Sequence, residues 1–105
     1  MDIQLKQEDF DLTVKNNKNV VLDFYADWCG PCQTLLPIVH QLADELKNNV
    51  VIKKVNVDQN SELAAQFNVR SIPTLVFFKE GNPVDRHTGL LAETELRYKI
   101  EQLNN

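Results

Sequence analysis

Residues that specialised chemistry commonly needs are scarce here: two cysteines, two histidines, one tryptophan and three glycines in 105 residues. Nowhere does the chain reach the roughly 18 apolar residues of a membrane-spanning helix, so no membrane association is expected. It also lacks a basic block, the nearest being the pair Lys53-Lys54, and its formal net charge is −4. Nucleic-acid and anionic-membrane binding both rest on concentrated positive charge and are not expected. Structural zinc usually takes four nitrogen or sulfur ligands, and neither His40 nor His87 stands at ligand spacing from the cysteines. No metal is expected, and both histidines read as surface residues. There is no repeat, low-complexity tract or linker, and the length suits one core and not two, so residues 1–105 should form a single domain. The stretch MDIQLKQEDFD is acidic and amphipathic, unlike a secretory signal, and with Met1 as its start it points to a cytoplasmic protein.

What is present alternates between periods of two and 3.6, the mark of an α/β domain. Ile3 to Leu5 suggests a short strand, followed by a helix from Glu8 to Lys15. Residues 19–26 (NVVLDFYA) form an apolar run suited to a strand covered on both faces. Leu35, Val39, Leu42 and Leu46 then recur at helical spacing, with Pro37 placed to kink that helix. A second strand is expected over 50–57 and a short helix over 61–67, with Asn60 or Ser61 as its N-cap. TLVFFK, a turn around Glu80-Gly81-Asn82, and VDRHT suggest a hairpin, and a last helix should run from about Thr94 to Leu103. The order predicts three parallel-type units, a hairpin and a covering helix: a mixed sheet with helices on both faces.

The two cysteines, Cys29 and Cys32, are too close in sequence to cross-link distant segments. Their placement favours redox chemistry. Cys29 follows the buried strand and opens a helix, where unpaired N–H groups and the helix dipole stabilise a thiolate. Thiol–disulfide exchange needs one thiolate to attack and a second thiol to resolve the mixed disulfide. Cys29 is thus the exposed attacker, and Cys32, one turn along, resolves. Pro31 suits the first helical turn, and with Gly30 it restricts the loop that sets the balance between dithiol and disulfide. Trp28 offers an apolar wall to a docking peptide.

Asp23 is the odd residue in the apolar run. Strand alternation puts it on one face with Val21, Tyr25 and Asp27. The strand advances about 13 Å from Asp23 to Asp27, and the helix returns about 5 Å by its second turn, so Asp23 and Cys32 come within reach. A desolvated carboxyl there would have a raised pKa and suit proton transfer; a satisfied structural acid is the equal alternative.

The run DFYADWCGPC, the later Ser71-Ile72-Pro73-Thr74 and Gly89 together resemble the thioredoxin family over essentially the whole chain. The resemblance implies the thioredoxin fold, a central mixed sheet of about five strands flanked by about four helices. It also implies a protein-disulfide reductase with Cys29 as nucleophile and Cys32 as resolving cysteine. Asp23 would take the proton of Cys32, and Lys54 would be its partner. Gly30 and Pro31 would tune the redox potential. Pro73 would be cis and face the disulfide, with Ile72 and Thr74 beside it and Gly89 allowing a substrate peptide close approach. No cofactor is implied in the chain itself. Electrons would come from NADPH through a flavin-containing thioredoxin reductase, the other partners being disulfide-containing proteins, and the chain would be a monomer. Four positions depart from the common pattern: Tyr25 for tryptophan, Gln33 for lysine, Leu90 for a small residue, and Ala92 where a capping serine is usual, with Thr94 as substitute cap. The competing readings are a disulfide oxidase or isomerase, and a docking subunit in which the cysteines are incidental.

Overall fold

The computed structural model describes residues 2–105, Met1 lying outside it. A 3₁₀ turn at Gln7–Asp9 leads into α1 (Phe10–Asn16), followed by β1 (Asn19–Tyr25), α2 (Gly30–Glu45), β2 (Val51–Asn56), α3 (Ser61–Gln66), β3 (Thr74–Lys79), β4 (Asn82–Thr88) and α4 (Glu93–Leu103). The strands lie in the order β2-β1-β3-β4, with β1 parallel to β2 and antiparallel to β3, and β3 antiparallel to β4.

Every residue of β1 is buried, because helices cover both faces of the sheet. Val20, Leu22 and Phe24 point to one side and pack with Phe10, Val14 and Leu63 of α1 and α3. Val21 points to the other and packs with Leu35, Val39 and Leu42 of α2 and with Leu96 and Ile100 of α4. The expected stripe of α2 is therefore its buried face, and the helix runs unbroken through Pro37 despite the missing N–H. In the turn after β3, Glu80 and Gly81 both have positive φ (52° and 86°), the backbone a two-residue hairpin with matching twist requires. β4 consequently begins at Asn82, earlier than expected, and as an exposed edge strand it tolerates Pro83.

Several expectations need correction. The sheet has four strands and not about five: Ile3–Leu5 contributes a single parallel bridge, Gln4 to Lys54, before the chain turns into the 3₁₀ segment. Only β1 and β2 form a parallel strand pair, because β3 enters from the opposite end. Asn60 sits at the N-cap of α3, but its side chain accepts from Gln7 N–H (2.8 Å) and donates to the Asn56 carbonyl (2.9 Å). Gln7 supplies the cap instead, its Oε1 accepting from Leu63 N–H at 3.2 Å. Helix α4 starts at Glu93 with Ala92 at the cap position and no side-chain cap; Thr94 lies inside it, and Glu93 and Glu95 favour the positive helix end. Neither histidine is fully exposed: both are half-buried and hydrogen-bonded.

Candidate active site

β1 ends at Tyr25, and four residues later Cys29 takes the N-cap position of α2 in an extended conformation. Its Sγ accepts the N–H of Cys32 at 3.2 Å, a cap bond in which sulfur replaces the usual side-chain oxygen. Pro31 stands in the first turn, where a missing N–H costs nothing. One turn of helix brings the two Cα atoms to 5.2 Å, and the cysteines are joined by a disulfide. The pair is less open than an exposed attacker implies. Cys29 keeps 6% of its surface accessible against 0% for Cys32, so an incoming sulfur can approach only Cys29. A thiolate released at Cys29 would receive the Cys32 N–H and the positive end of α2, the conditions that lower a cysteine pKa.

Beside the disulfide lies the segment before β3. The Ile72–Pro73 bond is cis, Pro73 is buried, and Ile72 packs on the two cysteines. The Ile72 carbonyl oxygen is 3.8 Å from Cys29 Sγ. Ile72 N–H has no hydrogen-bond partner among the described residues, whereas the Pro73 carbonyl accepts from Gly89 N–H at 2.8 Å. An extended peptide could thus pair with Ile72 while one of its sulfurs reaches Cys29. Gly89 has φ +97°, a conformation that side chains resist, and the space where a Cβ would stand is open. Two large apolar side chains flank this groove: Trp28, 72% exposed, and Leu90, 52% exposed. Thr74 is not on the surface. It is buried, with its hydroxyl directed to the Ser71 carbonyl and to Thr88 Oγ1, so it builds the turn and does not line the groove. Gly30 faces open space, and Gln33 reaches back to the Ala26 carbonyl at 3.4 Å, closing the turn before the cysteines.

Asp23 lies beneath this surface. Val21 packs with Leu35 and Val39, and Tyr25 packs with Cys32; Asp23, between them on the same strand face, sits under the first turns of α2. It is fully buried, and neither carboxylate oxygen has a hydrogen-bond partner among the described residues. Burial pushes its pKa up from 3.8 to about 7, against an opposing pull from the Lys54 charge. The strand register pairs Asp23 with Lys54, while Lys53 pairs with Leu22 on the opposite face, so the register makes the choice that periodicity left open. Yet Lys54 is not bonded to Asp23. Its Nζ lies 3.1 Å from His40 Nε2 and 5.6 Å from the centre of the Tyr25 ring.

Two residues of this neighbourhood had no signal in composition or spacing. Asp58 accepts the Trp28 indole N–H at 2.8 Å and fixes the exposed ring. Because it follows the carboxyl end of β2 as Trp28 follows that of the parallel β1, the shared strand end was the available clue. Gln4 accepts the Tyr25 hydroxyl at 2.9 Å and orients the ring over which Lys54 lies.

A thioredoxin family profile matches residues 2–102. The chain is 43% identical over 101 residues to a thioredoxin of Haemophilus influenzae, covering 95% of this chain and 94% of that one. It is 42% identical over 87 residues to a thioredoxin of Chlorobaculum thiosulfatiphilum, covering 83% and 81%. Among solved structures, a mutant thioredoxin from Halobacterium salinarum is similar with a TM-score of 0.89 at 40% identity, covering 100% of this chain and 90% of that one. Plasmodium falciparum thioredoxin follows with a TM-score of 0.86 at 33% identity, covering 97% and 98%.

Proposed function

The chain belongs to the thioredoxin family and is a thiol–disulfide oxidoreductase of the protein-disulfide reductase kind; from that premise we propose that it is a general reductant of protein disulfides, worked by Cys29, Cys32 and Asp23. In the reduced protein the Cys29 thiolate attacks one sulfur of a substrate disulfide. A Cys29–substrate disulfide forms, and the other substrate sulfur leaves as a thiolate that takes up a proton. Cys32 gives its proton to the Asp23 carboxylate, and its thiolate attacks Cys29 Sγ. The Cys29–Cys32 disulfide closes, the second substrate sulfur leaves as a thiolate that takes up a proton from solvent, and Asp23 returns its proton to solvent. Two electrons have passed to the substrate. With its pKa near 7, Asp23 is ready to accept a proton at neutral pH.

The observation that carries this reading is the disulfide at the start of α2, with one accessible sulfur beside the unpaired N–H of Ile72. Thioredoxins bind no cofactor themselves. In our reading electrons return from NADPH through a flavin-containing thioredoxin reductase, and residues 1–105 act in the cytoplasm as one monomeric thioredoxin domain. The test is insulin reduction, followed as NADPH oxidation with a thioredoxin reductase and as insulin precipitation with dithiothreitol. Turnover in both formats is expected, and failure of both would refute the reductase reading.

Docking should depend on the apolar rim. An apolar contact of about 1 kcal/mol is worth about fivefold in affinity. Leu90→Asp is therefore expected to raise KM for insulin about fivefold with kcat little changed, since Leu90 lies outside the reacting sulfurs. Steady-state kinetics over a range of insulin concentrations check this.

A further inference from the structure

Lys54 stands opposite Asp23 in the β1–β2 register, and in a dry interior an ammonium and a carboxylate so placed would attract strongly. No ion pair joins them among the described residues, and both Asp23 oxygens are left without a partner. The ammonium is held elsewhere. Nζ lies 3.1 Å from Nε2 of His40 and above the Tyr25 ring, which Gln4 fixes through the tyrosine hydroxyl. A protonated lysine has no acceptor, so in this contact Lys54 donates and the imidazole accepts, which requires a neutral ring with its proton on Nδ1. Burial, and after it the Lys54 charge, lower the His40 pKa, with Asp2 opposing. The ring therefore stays in the accepting form at neutral pH.

We propose that His40 is a positioning residue for the proton acceptor: by taking an N–H of Lys54 it holds the ammonium off Asp23, leaving the buried carboxyl unpaired beneath Cys32. This rests on the reading of Asp23 as the base for Cys32. Were the ammonium to swing onto Asp23, the carboxylate would be stabilised and become a weaker base for the resolving thiol. Two contacts on Lys54, from the imidazole and the tyrosine ring, oppose that swing. The other groups packed about Asp23 offer no competing charge. Its partner on β3, Leu75, is apolar; α4 presents Leu96, Ile100 and Leu103; and Cys32 does not titrate while in the disulfide.

The test is the pH titration of the Asp23 side-chain carboxyl carbon by NMR in the oxidised protein, for wild type, His40→Leu, His40→Gln and Lys54→Met. No Cys32 proton moves in that state, so the result is independent of whether Asp23 acts in catalysis. Leucine removes the acceptor, and the wild-type midpoint near 7 should fall by about one pH unit as Lys54 turns to Asp23. Glutamine places an amide oxygen near the position of Nε2 and should restore the wild-type midpoint. Lys54→Met should raise it, by removing the charge that opposes the effect of burial. An unchanged midpoint in His40→Leu, an equal fall in His40→Gln, or no rise in Lys54→Met would each overturn the proposal.

Discussion

Cys29→Ser is expected to abolish insulin reduction, whereas Cys32→Ser should still attack substrate and stall with it attached. The two substitutions each replace a sulfur by an oxygen, three residues apart at the start of α2, so the difference arises from placement. Cys29 is the sulfur with residual access and the one that receives a helix N–H; Cys32 is sealed inside α2. Without Cys29 no group can form the first sulfur–sulfur bond, and turnover should drop by more than about a thousandfold. Without Cys32 the first bond forms and nothing inside the protein breaks it. Mass spectrometry under non-reducing conditions should show Cys32→Ser carrying one substrate chain, released by dithiothreitol, and Cys29→Ser carrying none. Equal trapping by both variants would contradict the assignment of attacker and resolver.

Asp23→Ala should stabilise the oxidised protein, most of all at alkaline pH. The native state keeps a proton on Asp23 up to about pH 7, while the unfolded chain releases it near 3.8. Between those values the native state binds more protons than the unfolded state, so stability falls as pH rises through the window. At about 1.4 kcal/mol per pKa unit, holding this carboxylate buried costs the fold about 4 kcal/mol above pH 7. Alanine removes that cost and leaves only a small void. Denaturant unfolding should find Asp23→Ala more stable by about 3 kcal/mol at alkaline pH, the gap narrowing by a similar amount toward pH 4. Equal stability at alkaline pH would mean that the carboxylate has partners in solution.

Much of this was legible because burial and helix chemistry leave periodic marks. The run in β1 needs cover on both faces, and the leucines and valine of α2 supply half of it. A strand followed by WCGPC puts the first cysteine at a helix start, since Pro31 is best suited to the first turn. The oddity of Asp23 was likewise visible, because an acid on a covered strand has no water. Contacts set by how elements lie over one another were hidden. Lys54 joins His40 because α2 crosses β2 at that point, and no spacing of 14 residues announces it. Thr74 has a residue type suited to either surface or turn, and the bond to Thr88 across the hairpin decides for the turn. Ile3–Leu5 has the pattern of a strand but too little length to pair beyond one bridge.

In our reading the cysteine pair and the buried acid form one device. It is tested most directly by the rate at which the Cys29–substrate disulfide releases reduced substrate, measured by rapid mixing from about pH 5 to about pH 9 in wild type and Asp23→Ala. In wild type the rate should climb through an inflection near 7 as Asp23 becomes able to accept the Cys32 proton. In the variant the inflection should vanish and the neutral-pH rate fall by about tenfold or more. Superimposable profiles for the two proteins would contradict it.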